Sequence, residues 1–130
     1  MSVDYRSGES ALPVDAFIRL ATRIWGRDYD RALTEAALKS TINVGAWSGD
    51  RLVGSVRILS DGYFFSTVPE VMVDPEFRRH GIGLALMRQA LDLAPGGALF
   101  LGAQPGNEPF FERAGFRRGP AGYVGRRASP

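Results

Sequence analysis

Residues 71–87 read VMVDPEFRRHGIGLALM, and this run decides how the rest of the chain is read. Val71-Met72-Val73 is a short apolar strand. Asp74-Pro75 stops it, because proline has no N–H to offer a ladder. From Gly81 to Leu93 the apolar residues return at helical spacing, with Ile82, Ala85, Leu86, Met87, Ala90, Leu91 and Leu93 on one broad face. Between strand and helix lie Arg78, Arg79, His80 and the glycines Gly81 and Gly83. The first turn of a helix has free N–H groups and a positive dipole end. Glycine lets that backbone come close to a ligand. With two guanidinium groups beside it, the segment predicts a site for a di-anionic group such as a pyrophosphate. A P-loop would need G-x-x-x-x-G-K-[ST], and no lysine stands here. A dinucleotide-binding loop would need a third glycine where the chain has Leu86, and an acid about twenty positions on, for which Asp92 is too near.

Outward from this run, proline and glycine divide the chain into short elements. Leu12-Pro13-Val14-Asp15 is a helix start. Phe17, Leu20, Ala21 and Ile24 continue it at helical spacing, and Gly26 ends it. A second helix is expected from about Tyr29 to Ser40. Ile42 to Trp47 and Arg51 to Leu59 read as a hairpin turning at Ser48-Gly49-Asp50. After a turn at Ser60-Asp61-Gly62, a third strand is expected from Tyr63 to Val73, interrupted at Pro69. Pro95-Gly96-Gly97 closes the main helix. Ala98 to Gly102 (ALFLG) reads as an apolar strand covered on both faces. Pro109 to Ala114 makes a short helix capped by Gly115, and Phe116 to Arg118 and Gly122 to Arg126 are expected as final strands. The order predicts an α/β domain with a mixed sheet.

Composition limits the function. The 130 residues hold 16 basic and 14 acidic side chains, for a net charge of +2, and 45% are hydrophobic, as a folded core requires. There is no cysteine, which excludes disulfides, thiolate metal sites and a cysteine nucleophile. His80 is the one histidine, so a histidine metal cluster is excluded. No stretch approaches the ~18 apolar residues that span a bilayer. Residues 1–10 carry charges and no apolar centre, unlike a signal peptide. The paired arginines Arg117-Arg118 and Arg126-Arg127 read as solvated surface rather than a nucleic-acid face. The expectation is a soluble, cytoplasmic, single-domain protein over 1–130, with no nucleic-acid or membrane partner.

At Arg78-Arg79-His80-Gly81-Ile82-Gly83, preceded by Val73-Asp74-Pro75, the chain resembles the GCN5-related N-acetyltransferase (GNAT) superfamily, whose acetyl-CoA motif is [QR]-x-x-G-x-[GA] after a strand ending in V-x-P. Two further features agree. Phe110-Phe111-Glu112-Arg113-Ala114-Gly115-Phe116 matches the family's aromatic pair followed by Gly-Phe. SVRILSDG at 55–62 is similar to a hairpin of small bacterial members. The resemblance covers roughly 12–123. It implies a mixed, mostly antiparallel sheet with helices on both faces and two splayed parallel strands, between which the cofactor's pantetheine arm pairs as a false strand.

The resemblance also implies roles. The backbone of Val71, Met72 and Val73 would bind the arm and polarise the thioester carbonyl. Arg78, Arg79, His80, Gly81, Ile82, Gly83 and Leu84 would wrap the pyrophosphate, with Asn107 and Phe111 as further contacts. His80 reads as a loop residue near phosphate rather than a base. Attack on a thioester needs a neutral amine, which a carboxylate can help to generate. Glu70 is the first candidate, with an ordinary ion pair as the alternative, and Asp61 is the runner-up. Trp25, Tyr29 and Asp61 are candidates for the acceptor pocket, although Trp25 also suits a core lid and Asp61 a turn. Many members carry tyrosine at the second aromatic to protonate the departing thiolate. Here it is Phe111, with Ser66 or Tyr123 as substitutes the sequence cannot place. The expected activity is acetyl transfer from acetyl-CoA to a primary amine, a small molecule or amino acid, by direct attack, with a homodimer possible. A protein N-acetyltransferase and a degenerate acyl-CoA-binding module are the alternatives.

Overall fold

The computed structural model describes residues 2–128. Its strands are β1 (Asp4–Ser7), β2 (Ile42–Ser48), β3 (Arg51–Ser60), β4 (Ser66–Thr67) and β5 (Val71–Val73), and its helices α1 (Val14–Trp25), α2 (Arg31–Lys39), α3 (Ile82–Leu93) and α4 (Glu108–Arg113). β1, β2 and β3 form an antiparallel meander, and β4 and β5 both pair antiparallel with the far edge of β3.

The faces follow from alternation. Val44, Ala46, Val56 and Ile58 pack beneath Ile82, Leu86, Met87 and Ala90 of α3. On the other face Trp47, Leu52 and Met72 meet Phe17, Leu20 and Ala21 of α1. Gly54 lets α3 sit down on the sheet. A Cβ there would stand 3.0 Å from Ile82 Cγ2 and 3.1 Å from Leu86 Cδ1. α1 ends at Gly26 with φ +67°, its N–H closing on the Thr22 carbonyl at 2.8 Å. α2 starts two residues later than expected because Asp30 is its cap, accepting from Leu33 N–H at 2.9 Å.

The expected interruption near Pro69 is the feature that shapes the sheet. Leu59 faces Thr67 and Val56 faces Val71, so Arg57 and Ile58 stand opposite three residues, Val68, Pro69 and Glu70. One extra residue in one strand is a β-bulge, and it bends the edge. Before the bulge, Ser66 and Val68 bond to both sides of Phe100, in a parallel bridge of Thr67 with Phe100. After it, the parity of the strand is reset and that parallel ladder stops. The splay between two parallel segments is the outcome of this insertion.

Other expectations need correction. Residues 63–65 are not strand but a tight turn, because the Asp61 carboxylate accepts from the amides of Tyr63, Phe64 and Phe65 at 2.8, 2.8 and 3.1 Å. Residues 98–102 form one bridge rather than a covered strand, with Leu99 buried and Phe100 half exposed. Residues 116–118 and 122–126 carry no regular structure, where Pro120 and the flanking glycines favour turns over a ladder. β1 was not foreseen. Its charged sequence, DYRS, has the look of a coil, and it is a strand because it pairs with β2.

Candidate active site

A cleft of about 310 Å³ opens where β5 parts from the segment after Phe100. β5 and the bulge form one wall, with Arg78 at its end. Leu101, Gly102, Gln104, Asn107 and Phe111 form the other, and Ile24 and Trp25 of α1 close one side. A larger groove of about 640 Å³ lies between α2 and the start of β2, but it meets only the C-terminal half of that helix and offers no free strand edge.

The β5 wall has directional backbone chemistry. Asp74 N–H bonds to the Val53 carbonyl at 2.8 Å, so the groups of Asp74 and Met72 turn toward β3. Alternation then turns the N–H and C=O of Val71 and Val73 outward, and the Val73 carbonyl is met by Arg78 Nε at 3.3 Å. Of the three residues expected to offer backbone, Val71 and Val73 face outward. Met72 instead pairs with Ser55 and buries its side chain under α1.

Beside this wall stands the N-terminus of α3. Gly81 precedes it at φ +77°, a conformation that disfavours a side chain, and Arg79 adopts φ +68° despite having one. Arg78, Arg79 and His80 are exposed around this turn. Ile82 is buried, so only its backbone faces the loop. Gly83 also meets a packing demand that the sequence did not show. A Cβ there would stand 3.1 Å from the Phe110 ring and 3.5 Å from Val73 Cγ2, so its lack of side chain lets α4 and β5 pack against α3. Leu84 is half-buried against the same core.

Sequence reasoning missed what anchors this loop. Asp74 is 1% exposed, and its carboxylate binds Arg23 of α1 at 2.9 and 3.0 Å, Arg51 of β3 at 2.8 Å and the Glu76 amide at 2.9 Å. Burial alone would raise its pKa, but the Arg23 bond, the Glu76 amide and Arg51 together hold it below the ordinary carboxylate value. The Asp-Pro pair stood in the sequence as a strand stop. Nothing local there showed that two distant arginines converge on it.

Glu70 lines the cleft, and it is held in an ion pair. Arg57 Nε donates to Oε2 at 2.6 Å and Nη2 to Oε1 at 2.8 Å, with both side chains only 16% exposed. Trp25 lines the cleft too and is half exposed, a wall rather than a core lid. Asn107 lines it beside Phe111, and Phe111 makes edge contacts with Phe110 and Phe116 at 5.0 and 6.4 Å. Tyr29 and Asp61 are not in the cleft wall. Tyr29 packs at the edge of the α1 core and approaches Arg27. Asp61 is occupied by its three turn amides, chiefly Tyr63, Phe65 and Phe64, which lower its pKa. Neither substitute for a tyrosine acid reaches the site. Ser66 is buried and bonded to Ser60 and the Pro95 carbonyl, and Tyr123 lies exposed outside the cleft wall.

An outward strand edge, a bulge that parts two parallel segments and Arg78 meet in one cleft, and the α3 start lies beside it, with Arg79, His80, Gly81, Ile82, Gly83 and Leu84 outside the cleft wall. Residues 20–124 match the family model of the acetyltransferase (GNAT) domain. The chain belongs to the GNAT acetyltransferase family. Relatives and solved structures agree. The chain is 37% identical over 86 residues to the N-alpha-acetyltransferase RimI of Mycobacterium tuberculosis, covering 58% of this chain and 54% of that protein. It is similar in fold to a GNAT-family acetyltransferase from Streptococcus pneumoniae, at 22% identity and TM-score 0.78, covering 97% and 100% of the two chains. It is also similar in fold to AAC(6')-Iy, solved in complex with the bisubstrate analogue CoA-S-monomethyl-acetylneamine, at 14% identity and TM-score 0.77, covering 99% and 100% of the two chains. The chain spans about half or less of the curated relatives it matches first. The GNAT architecture expected from the motif, a mostly antiparallel sheet with a helix on each face, is therefore found. No helix among the described residues is long and apolar enough to cross a membrane.

Proposed function

We propose that this chain is a single-domain N-acetyltransferase that moves the acetyl group of acetyl-CoA to a primary amine by direct attack. The observation that carries the reading is the outward edge of β5, Val71 and Val73, open on a cleft beside the α3 N-terminus. The residues fit coenzyme A. Val71 and Val73 would pair with the pantetheine amides as an added strand. The α3 amides at Ile82, Gly83 and Leu84, with Arg78, Arg79 and the loop at His80 and Gly81, would hold the pyrophosphate. An outward N–H of β5 would stabilise negative charge developing on the thioester oxygen. Asn107 and Phe111 would border the thiol end of the arm.

The acceptor we assign is an α-amine, of an amino acid or a peptide N-terminus. Glu70 is the one carboxylate in the cleft wall, and Arg57 already engages both of its oxygens. The α-amine of a peptide N-terminus, with pKa near 7.7–8.0, is roughly a tenth neutral at pH 7, that of a free amino acid is held more basic by its own carboxylate, and a lysine-type amine near 10.4 is neutral in fewer than about one molecule in a thousand. Glu70 would draw the ammonium in and take the proton through water. Trp25 would flank the incoming amine. The relative named as an N-alpha-acetyltransferase supports the peptide form of this acceptor.

The test is thiol release from acetyl-CoA with free amino acids, short peptides with free N-termini, and N-terminally blocked peptides carrying lysine. Turnover with the first or second group and not with the third is expected. Acetylation of lysine alone overturns the α-amine assignment, and release with none overturns the activity.

A further inference from the structure

Arg57 has no part in the reading above beyond its contact with Glu70, yet its setting is specific. It reaches from β3 to the bulge opposite, where its Nε and Nη2 meet the two oxygens of Glu70 side by side. Its guanidinium also lies 5.9 Å over the ring of Phe17, a buried residue of α1. The Glu70 hydrogen bond raises the Arg57 pKa against the effect of burial, so the cation is permanent. Glu70 itself follows Pro69 inside the bulge, where the ladder that would fix a strand side chain is broken. A bidentate arginine fixes both oxygens and the plane of a carboxylate, which the bulge backbone does not. The other charged group of the cleft wall is Arg78, from the loop after β5; α1, residues 101–107 and α4 contribute uncharged residues.

We infer that Arg57 is a positioning residue for acetyl transfer: braced on Phe17, it holds the Glu70 carboxylate in one orientation toward the incoming amine. It acts through Glu70, and the inference rests on the activity proposed above. A purely structural pair would affect stability and cofactor binding together. A positioning pair affects turnover, because displacement of a reacting group by about 1 Å can cost up to 10²-fold.

The experiment is a cycle of Arg57→Met, Glu70→Gln and the double variant on the full chain, with Arg57→Lys as the conservative variant. Turnover, KM for both substrates and coenzyme A affinity by calorimetry are read well below each melting temperature. Arg57→Met is expected to lower kcat roughly ten- to a hundredfold with coenzyme A affinity unchanged. The double variant is expected to be no slower than Glu70→Gln alone, and Arg57→Lys to recover part of the loss. If Arg57→Met does not fold, Arg57→Lys decides: a several-fold loss in kcat at unchanged cofactor affinity supports the role. The role is overturned when kcat holds within twofold, when the single effects multiply in the double variant, or when cofactor affinity falls in step with turnover. A wild-type chain that binds coenzyme A but transfers nothing to any amine overturns the activity itself, and the role with it.

Discussion

Phe111 stands in the cleft wall where many relatives of this fold would offer a hydroxyl, and its ring has no proton to donate. A thiolate leaves tolerably without help, a cysteine-type thiol having a pKa near 8.5. Phe111→Tyr is therefore expected to keep kcat at or above the wild-type value, read by thiol release at saturating amine. A collapse in kcat with coenzyme A affinity intact would contradict this view. At Asp74 the charge has a pH consequence. Its folded pKa lies below the ordinary 3.8. The unfolded chain thus binds the proton more readily than the folded one, so the contribution is complete above 3.8 and is lost as pH falls through the lower folded value. Asp74→Asn is expected to cost about 3 kcal/mol at pH 7, the low end for breaking a buried pair because both arginines are half exposed. The cost should shrink in acid, as thermal melts from pH 7 to pH 2 would show. A constant difference across that range would contradict the ionic account.

Among the elements, the best-predicted are those whose signal is local. α1 and α3 could be read from spacing and from their glycine ends, and the hairpin from its Ser-Gly-Asp turn. The turn into α3 was legible for the same reason, because a helix start, two glycines and two arginines lie within six residues. What escaped the sequence depends on distant partners. β1 is a strand only through β2. The 98–102 run reads as covered but finds one bridge. The Asp74 cluster joins residues 23, 51, 74 and 76. Gly83 was noted for the ligand, while its close neighbour is Phe110, far along the chain. The seat of α3 is also testable. Gly54→Ala places a methyl 3.0–3.3 Å from Ile82, Leu86 and Ala46, and overpacking of this kind costs about 1–3 kcal/mol. Leu86→Ala, at a fully buried position, should cost about 2–5 kcal/mol. If the two sites share one packing contact, Gly54→Ala should cost less in the Leu86→Ala background, as chemical denaturation of the four chains would show. Strict additivity would argue against a shared contact.

For the whole molecule, the cleft links binding to stability. Coenzyme A that binds only the folded chain stabilises it by about 2.7 kcal/mol at a hundred times Kd. For a domain of this size that corresponds to a rise in Tm of roughly 10 °C. At a fixed coenzyme A concentration the rise should shrink at high ionic strength, because the arginines assigned to the pyrophosphate are exposed. No rise at any salt would remove the basis for assigning the loop to that ligand. The groove itself has a different origin from the charges that line it. It exists because one strand carries a single surplus residue around Pro69, and not because any particular side chain props it apart. Substitution of residues on its walls, such as Trp25 or Gln104, is therefore expected to change what the groove favours without closing it.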